Sequence, residues 1–259
     1  MQTFHDHTQL TDQKIRLICM AAQIVLENGG ETYRVEETAT RMANGLGLED
    51  VNVVAFPTSI FVNVGGRSSL RRITHRGTNT ARLARVNDVS RRVERGELTL
   101  EEARAKLDAI AADPGWSQPL MILAYGVSAA SFSLVFGGNL GSFFVALIVG
   151  MLMQVIQPLF THMAMGTLLF NFCGGFLTAL LSQATSQVVA YGDVNATIIG
   201  GIMPLLTGLL MTTAVRDTMY GDLISGIARA VEALLLAGCV ALGVFVGLKT
   251  AVMLGGMPL

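Results

Sequence analysis

The amino-acid sequence predicts an α-helical polytopic membrane protein with five transmembrane helices and an N-terminal α+β domain in water. Three observations carry that expectation. The 259 residues are 51% hydrophobic and only 14% charged, where soluble domains carry about 25% charge, and mean hydropathy is +0.53. The charge is unevenly spread: residues 1–118 hold 15 of the 18 Lys and Arg and 15 of the 19 Asp and Glu. The remainder falls into apolar runs near the ~20 residues that cross ~30 Å of hydrocarbon. Two solvents are implied, so the chain divides into a cytosolic domain at 1–115 and a membrane domain at 116–259. Neither part has the positive excess that phosphate binding needs, and no nucleic-acid partner is expected.

In the first part, Ile15, Ile18, Ala22 and Val25 mark one face of an amphipathic helix. "ENGGET" interrupts it, and a second helical pattern runs through Val35, Ala39, Met42 and Leu46 to Gly45 and Gly47, which suit a helix C-terminus. "VNVVAFPTSIFVNVGG" reads as two strands bent at Pro57, and "SSLRRITHRG" as a third strand leaving a turn at Gly65–Gly66. Helices follow at about 79–95 and 99–112, the latter opened by Thr99 with Glu101 and Glu102. Thr58, Ser59 and His75 invite a hydrolase reading, but no spacing sets a nucleophile against a base; polar residues beside proline are ordinary turn formers. Arg71, Arg72, Arg76, Arg82 and Arg85 form either an anion-binding face or a solvated face paired with acids.

In the second part, Trp116 in "GWSQP" sits at a membrane interface. Spans are expected at about 119–137, 140–158, 163–182, 195–214 and 227–248. "GGN" joins the first two as a hairpin. Gly166, Gly174–Gly175, Gly200–Gly201 and Gly243xxxGly247 allow close helix approach. The arginine-rich domain before the first span should stay cytoplasmic, which leaves the C-terminus outside. Cys19, Cys173 and Cys239 have neither CxxC nor Cys/His spacing, and they read as small buried hydrophobes. No metal or other cofactor is expected.

One stretch breaks the apolar rule. Residues 119–259 hold only seven ionisable Asp, Glu, Lys or Arg, and five of them, Arg216, Asp217, Asp222, Arg229 and Glu232, fall in "AVRDTMYGDLISGIARAVEAL". From Asp222, Ser225, Arg229 and Glu232 recur on one helical face that enters the fifth span. A charge at mid-bilayer costs roughly 2.5–3.5 kcal/mol on insertion scales, so this face should meet protein or water. It reads either as a structural ion pair or as an ion or substrate path, with Asn171, Gln154, Gln157 and Thr207 as further polar candidates.

"ENGGETYRVEETATRMANGLG", "PTSIFV" and "NTARLARVNDVSRRV" together resemble the cytosolic domain of the threonine/serine exporter family. "IMPLLTGLLMTTAVRDTMYGDLISGIARAVEALLLAG" resembles that family's late membrane signature. The likeness runs over about residues 12–250. One departure is Thr207-Gly208, where the family commonly has Pro-Gly; a helix break should then rest on Pro204 and Gly208. The resemblance implies a secondary exporter, not an enzyme, of the bacterial inner membrane. It would move small amino or dicarboxylic acids, threonine/serine-like or succinate-like, with proton coupling. The chain is similar to the larger subunit of split pairs in the family, including one associated with succinate export. A small four- or five-span membrane subunit, or self-assembly, would complete the path. On this reading the pathway residues are Arg216, Asp217, Asp222, Arg229, Glu232, Asn171, Thr207 and Gly208, and the cytosolic motif comprises Glu31, Arg34, Glu36, Thr58, Arg76 and Asn87. The competing reading is a membrane-anchored hydrolase or substrate-binding protein acting through the cytosolic domain.

Overall fold

The computed structural model describes residues 2–160, 166–186, 193–206 and 208–255. They form two compact units. One contains the residues through Asp113 together with Leu209–Ala230; the other contains Pro114–Gly208 and the chain from Val231 onward. The expected cut at 115 therefore meets an exception: the charged stretch at 209–230 groups with the N-terminal residues.

The first unit opens with α1 (Gln2–Glu27) and α2 (Thr32–Gly45). Strands β1 (Val51–Phe56), β2 (Ser59–Val64) and β3 (Arg67–Arg72) form an antiparallel meander. Its hairpins turn at Pro57–Thr58 and Gly65–Gly66, pairing Phe56 with Ser59 and Val64 with Arg67. Helices α3 (Thr80–Glu94) and α4 (Leu100–Ala112) complete the layer. Thr99 and Glu102 make a reciprocal capping box at the start of α4, satisfying amides that a helix N-terminus leaves orphaned. The core takes the inward face of α1 (Ile15, Ile18, Ala22, Val25) against Val35, Met42, Ile60, Val62, Val86, Val93 and Leu107, all buried. Strand β2 shows the period of two that a half-buried sheet imposes: Ile60, Val62 and Val64 point inward, and Phe61 outward. Arg82 bonds the Asp113 carbonyl and Arg85 pairs with the Asp113 carboxylate, so these two arginines brace α3 against the end of α4.

Two more helices finish this unit, α9 (Gly208–Met219) and the first turns of α10 (Leu223–Gly255). At Gly226 an added Cβ would lie 2.9 Å from the Ala214 carbonyl oxygen, so α9 and α10 touch backbone to backbone there.

The second unit holds α5 (Gln118–Val135), α6 (Leu140–Ile156), α7 (Gly166–Ser186), α8 (Val194–Ile202) and the remainder of α10. Asn139 of the "GGN" turn caps α6 by accepting the Ser142 N–H at 3.0 Å. At the crossing of α7 and α10, an added Cβ on Gly243 would lie 2.1 Å from the Phe172 carbonyl oxygen, and one on Gly247 2.5 Å from that of Phe176. Only glycine permits that approach, as expected where lipid supplies no hydrophobic drive and close packing must hold helices together. Among the described residues four helices are long and apolar enough to cross a membrane, at Gln118–Val135, Leu140–Leu159, Gly166–Thr185 and Leu223–Leu254. The expected fourth span is broken: α8 ends at Ile202, a 3₁₀ turn covers Met203–Leu205, and α9 starts at Gly208, so Val194–Leu205 and Gly208–Met219 count as one span only if taken together. The break falls at Pro204 and Gly208, because proline cannot donate to the preceding turn. Thr207 lies outside the described residues.

Candidate functional site

Two helix endings of the same kind build the site. At the end of α1, Gly29 adopts φ +87°, the Gly30 N–H bonds the Val25 carbonyl at 2.9 Å and the Gly29 N–H that of Leu26 at 3.3 Å. At the end of α9, Gly221 adopts φ +93°, with Asp222 N–H to Asp217 carbonyl at 2.9 Å and Gly221 N–H to Thr218 carbonyl at 3.1 Å. Both are Schellman closures, which need a left-handed residue and so favour glycine. The first delivers Gly30, Glu31 and Thr32 to the start of α2; the second delivers Asp222 to the start of α10.

These segments meet. The Thr32 N–H donates to Asp217 Oδ1 at 3.0 Å, and the Thr32 hydroxyl donates to Asp222 Oδ2 at 2.9 Å. Arg229 donates to the Gly30 carbonyl at 2.9 Å, and its Nε lies 3.1 Å from Asp217 Oδ2. Arg229 and Asp217 side chains are 4% and 0% exposed, so this ion pair is sealed from water. Arg216 bonds Glu31, which also faces Arg34 Nε at 3.2 Å; the Glu31 side chain is 7% exposed and that of Arg216 49%. The rings of Tyr33 and Tyr220 stack with centroids 4.0 Å apart. Each of Gly30, Glu31, Thr32 and Tyr33 thus has a partner between Arg216 and Arg229.

Glu36, one turn further along α2, accepts the Ala55 N–H at 2.9 Å. Burial raises its carboxyl above the usual glutamate range; the Ala55 N–H partly offsets this, and the charges of Asp222 and Asp217 add to it. A carboxyl raised on folding holds its proton more tightly in the native state. The stability it contributes is therefore full below the usual glutamate value and is lost as pH rises through the raised one. Glu36→Gln keeps an acceptor for Ala55 and removes the charge. Thermal unfolding across a pH series should show this variant more stable than wild type near pH 7, with the advantage vanishing on acidification; a constant difference would refute the assignment.

The remaining sequence candidates are placed as follows. Asn87 is exposed and accepts from Arg41 at 2.9 Å. Thr58 is exposed in the β1–β2 turn, and its carbonyl accepts the Ile73 N–H at 2.8 Å. Arg76 and His75 are exposed in the loop after β3, and no hydrogen bond among the described residues joins Thr58 or Ser59 to His75. Gly208 is exposed at the start of α9. Glu232 is half-buried and Asn171 is 3% exposed, both in the second unit. Gln154 is buried in α6 and Gln157 half-buried in the turn after it. Cys19 is buried, whereas Cys173 and Cys239 are half-buried rather than fully buried as expected, because α7 and α10 each turn those positions partly outward. Among the described residues no group of three or more His, Cys, Asp and Glu has metal-holding geometry. Sequence reasoning missed Thr32, the Gly30 carbonyl and the Tyr33–Tyr220 pair. The available signal was the run of glycines before "ETYR", which marks a helix closure that presents backbone groups.

The joined segments, 30–33 and 216–229, fall within two of the stretches that carry the family likeness. The pattern of the family described as "putative threonine/serine exporter" matches residues 16–251. The chain belongs to this family. Among curated relatives, it is 24% identical over 256 residues to a threonine/serine exporter of Corynebacterium glutamicum, covering 94% of this chain and 52% of that protein. It is 24% identical over 253 residues to a probable threonine/serine exporter of Mycobacterium tuberculosis, covering 94% of this chain and 46% of that one. A probable succinate transporter subunit of Klebsiella aerogenes is 26% identical over 235 residues, covering 87% of this chain and 90% of that one. The chain spans about half the length of the two exporters. No solved structure matches it. Family membership and the apolar helices make this a membrane protein.

Proposed function

We propose that this threonine/serine exporter family member is a subunit of a proton-coupled secondary exporter that moves small amino or dicarboxylic acids out of the cytoplasm. One observation carries the reading: a sealed Asp217–Arg229 ion pair, in the one charged stretch of an otherwise apolar second half, is tied through Thr32 and Gly30 to the start of α2. Isolated buried charges are costly, and an ion pair commonly gains little net stability over apolar packing, so a moving part is a better account of it than a staple.

In this reading the residues through Asp113 face the cytoplasm of a bacterial inner membrane, and the C-terminus lies outside. Arg216 is half exposed and held by Glu31, so a substrate carboxylate competes with Glu31 for it. Arg229 is committed to Asp217 and Gly30 and serves as the fixed charge. Protonation of Asp217 or Asp222 weakens the hold on Arg229 and Thr32 and lets the α9–α10 turn leave the start of α2. Glu232, Asn171 and Gly208 are further candidates for the substrate or ion path in this reading. A small four- or five-span subunit, or a second copy, supplies the remaining wall, in keeping with transporters built of two related halves.

The test is reconstitution in vesicles, with and without a candidate small subunit, against threonine, serine and succinate under an imposed pH gradient. Gradient-dependent flux of at least one of these, reduced in Asp222→Asn, is expected. Absence of flux for the whole panel in every assembly would overturn the reading, and full gradient-sensitive flux in both Asp222→Asn and Glu232→Gln would remove those two residues from the mechanism.

A further inference from the structure

Beside the ion-pair cluster, the first unit contains a cleft of about 330 Å³ with an unbalanced charge lining: three arginines, Arg34, Arg41 and Arg91, against one acid, Glu37. The arginines differ in what they have left to offer. Arg41 is 12% exposed and pinned, bonding Asn87 at 2.9 Å, Ser90 at 3.3 Å and Glu37, with Glu94 at 3.5 Å. Arg34 is half exposed, donates through Nε to the Tyr33 hydroxyl at 3.2 Å and lies 3.2 Å from a Glu31 carboxylate oxygen, so its fork is partly committed. Arg91 is exposed on the last turn of α3, and its guanidinium makes no hydrogen bond or ion pair among the described residues. Val25 and Leu83 give the cleft an apolar floor, Thr38 adds a buried hydroxyl, and Tyr33 and Tyr220 add a flat wall.

We propose that this cleft binds a small carboxylate, gripped by the guanidinium of Arg91 with that of Arg34, its short body resting on Val25 and Leu83. Planar guanidinium forks match carboxylates bidentately, and one uncommitted fork beside a second partly committed one is a receptor for such an anion. The volume is at the small end of ligand pockets, which limits the body to a few carbons. Tyr220 belongs to the α9–α10 turn, so the ligand touches both sides of the Tyr33–Tyr220 stack and favours the closed arrangement of that turn. Amino-acid zwitterions and dicarboxylates share this chemistry. Glu37 in the rim favours the former, because it offers an acceptor for the ammonium group.

The experiment is calorimetric titration of the full-length protein in nanodiscs with L-threonine, L-serine, succinate, their methyl esters and inorganic phosphate. Binding of at least one carboxylate is expected, weakened at least tenfold in Arg91→Gln and absent for the ester. Retained affinity in Arg91→Gln, or equal displacement by phosphate, would overturn the assignment. Arg91→Lys keeps the charge without the fork; if Arg91→Gln does not fold, a loss of affinity in Arg91→Lys supports the same grip and unchanged affinity overturns it. The effect on the α9–α10 turn rests on the exporter reading, whereas binding is tested apart from it. Vesicles that fail to transport while the nanodisc protein binds would sink the exporter reading alone, and transport without titratable binding would sink this one alone.

Discussion

Replacing Arg229 by methionine is expected to destabilise the protein by about 3–5 kcal/mol, the usual consequence of leaving one partner of a buried ion pair uncompensated. The Asp217 side chain is fully buried, and the hydrogen bonds left to it from Thr32 are neutral and do not balance a full charge. The Gly30 carbonyl also loses its donor. Asp217→Asn added to Arg229→Met should recover most of the loss, since the amide oxygen still accepts from Thr32 and no buried charge is left. Thermal unfolding in detergent reads this directly. A single variant within about 1 kcal/mol of wild type would show that water reaches Asp217.

Reversing Arg216 to glutamate sets two carboxylates against each other at the start of α2 and should depress export by roughly 5–150-fold, the range of a 1–3 kcal/mol coupling. Glu31→Arg alone should do the same, because it faces both Arg34 and Arg216. The informative variant is the double reversal, Glu31→Arg with Arg216→Glu. It restores attraction between α2 and α9, and recovery of flux above either single variant is the expected outcome. Both singles exporting at the wild-type rate would remove this ion pair from the proposed mechanism. Because Arg216 is half exposed, salt should weaken the effect, whereas the Arg229 effect should be nearly insensitive to salt.

Much of the local structure was legible because it follows from short-range rules. Pro57 and Gly65–Gly66 marked both hairpin turns between the three strands. Thr99 with Glu102 marked the start of α4, and "GGN" the hairpin between α5 and α6. The broken span was legible in position, at Pro204 and Gly208, but read as one span at 195–214, since hydropathy counts apolar residues and does not register a missing amide hydrogen bond. Helix ends were less well defined: α10 starts at Leu223 and runs to Gly255, beyond the 227–248 that its apolar run suggested, because Asp222 and the Gly221 closure, not hydropathy, decide where it begins.

By itself the sequence determined the apolar character of the second half, the run of helices and strands, and the family, since composition, periodicity and motif order are properties of the chain. It also showed that charge gathers between Arg216 and Glu232. Only the tertiary structure decided what that charge meets. Thr32, the Gly30 carbonyl and Glu31 lie some 185–199 residues away in sequence from their partners, and no local pattern encodes a contact at such separation. The reason is physical: a buried guanidinium needs compensation from any acceptor within reach, and a backbone carbonyl freed by a helix closure serves as well as a side chain.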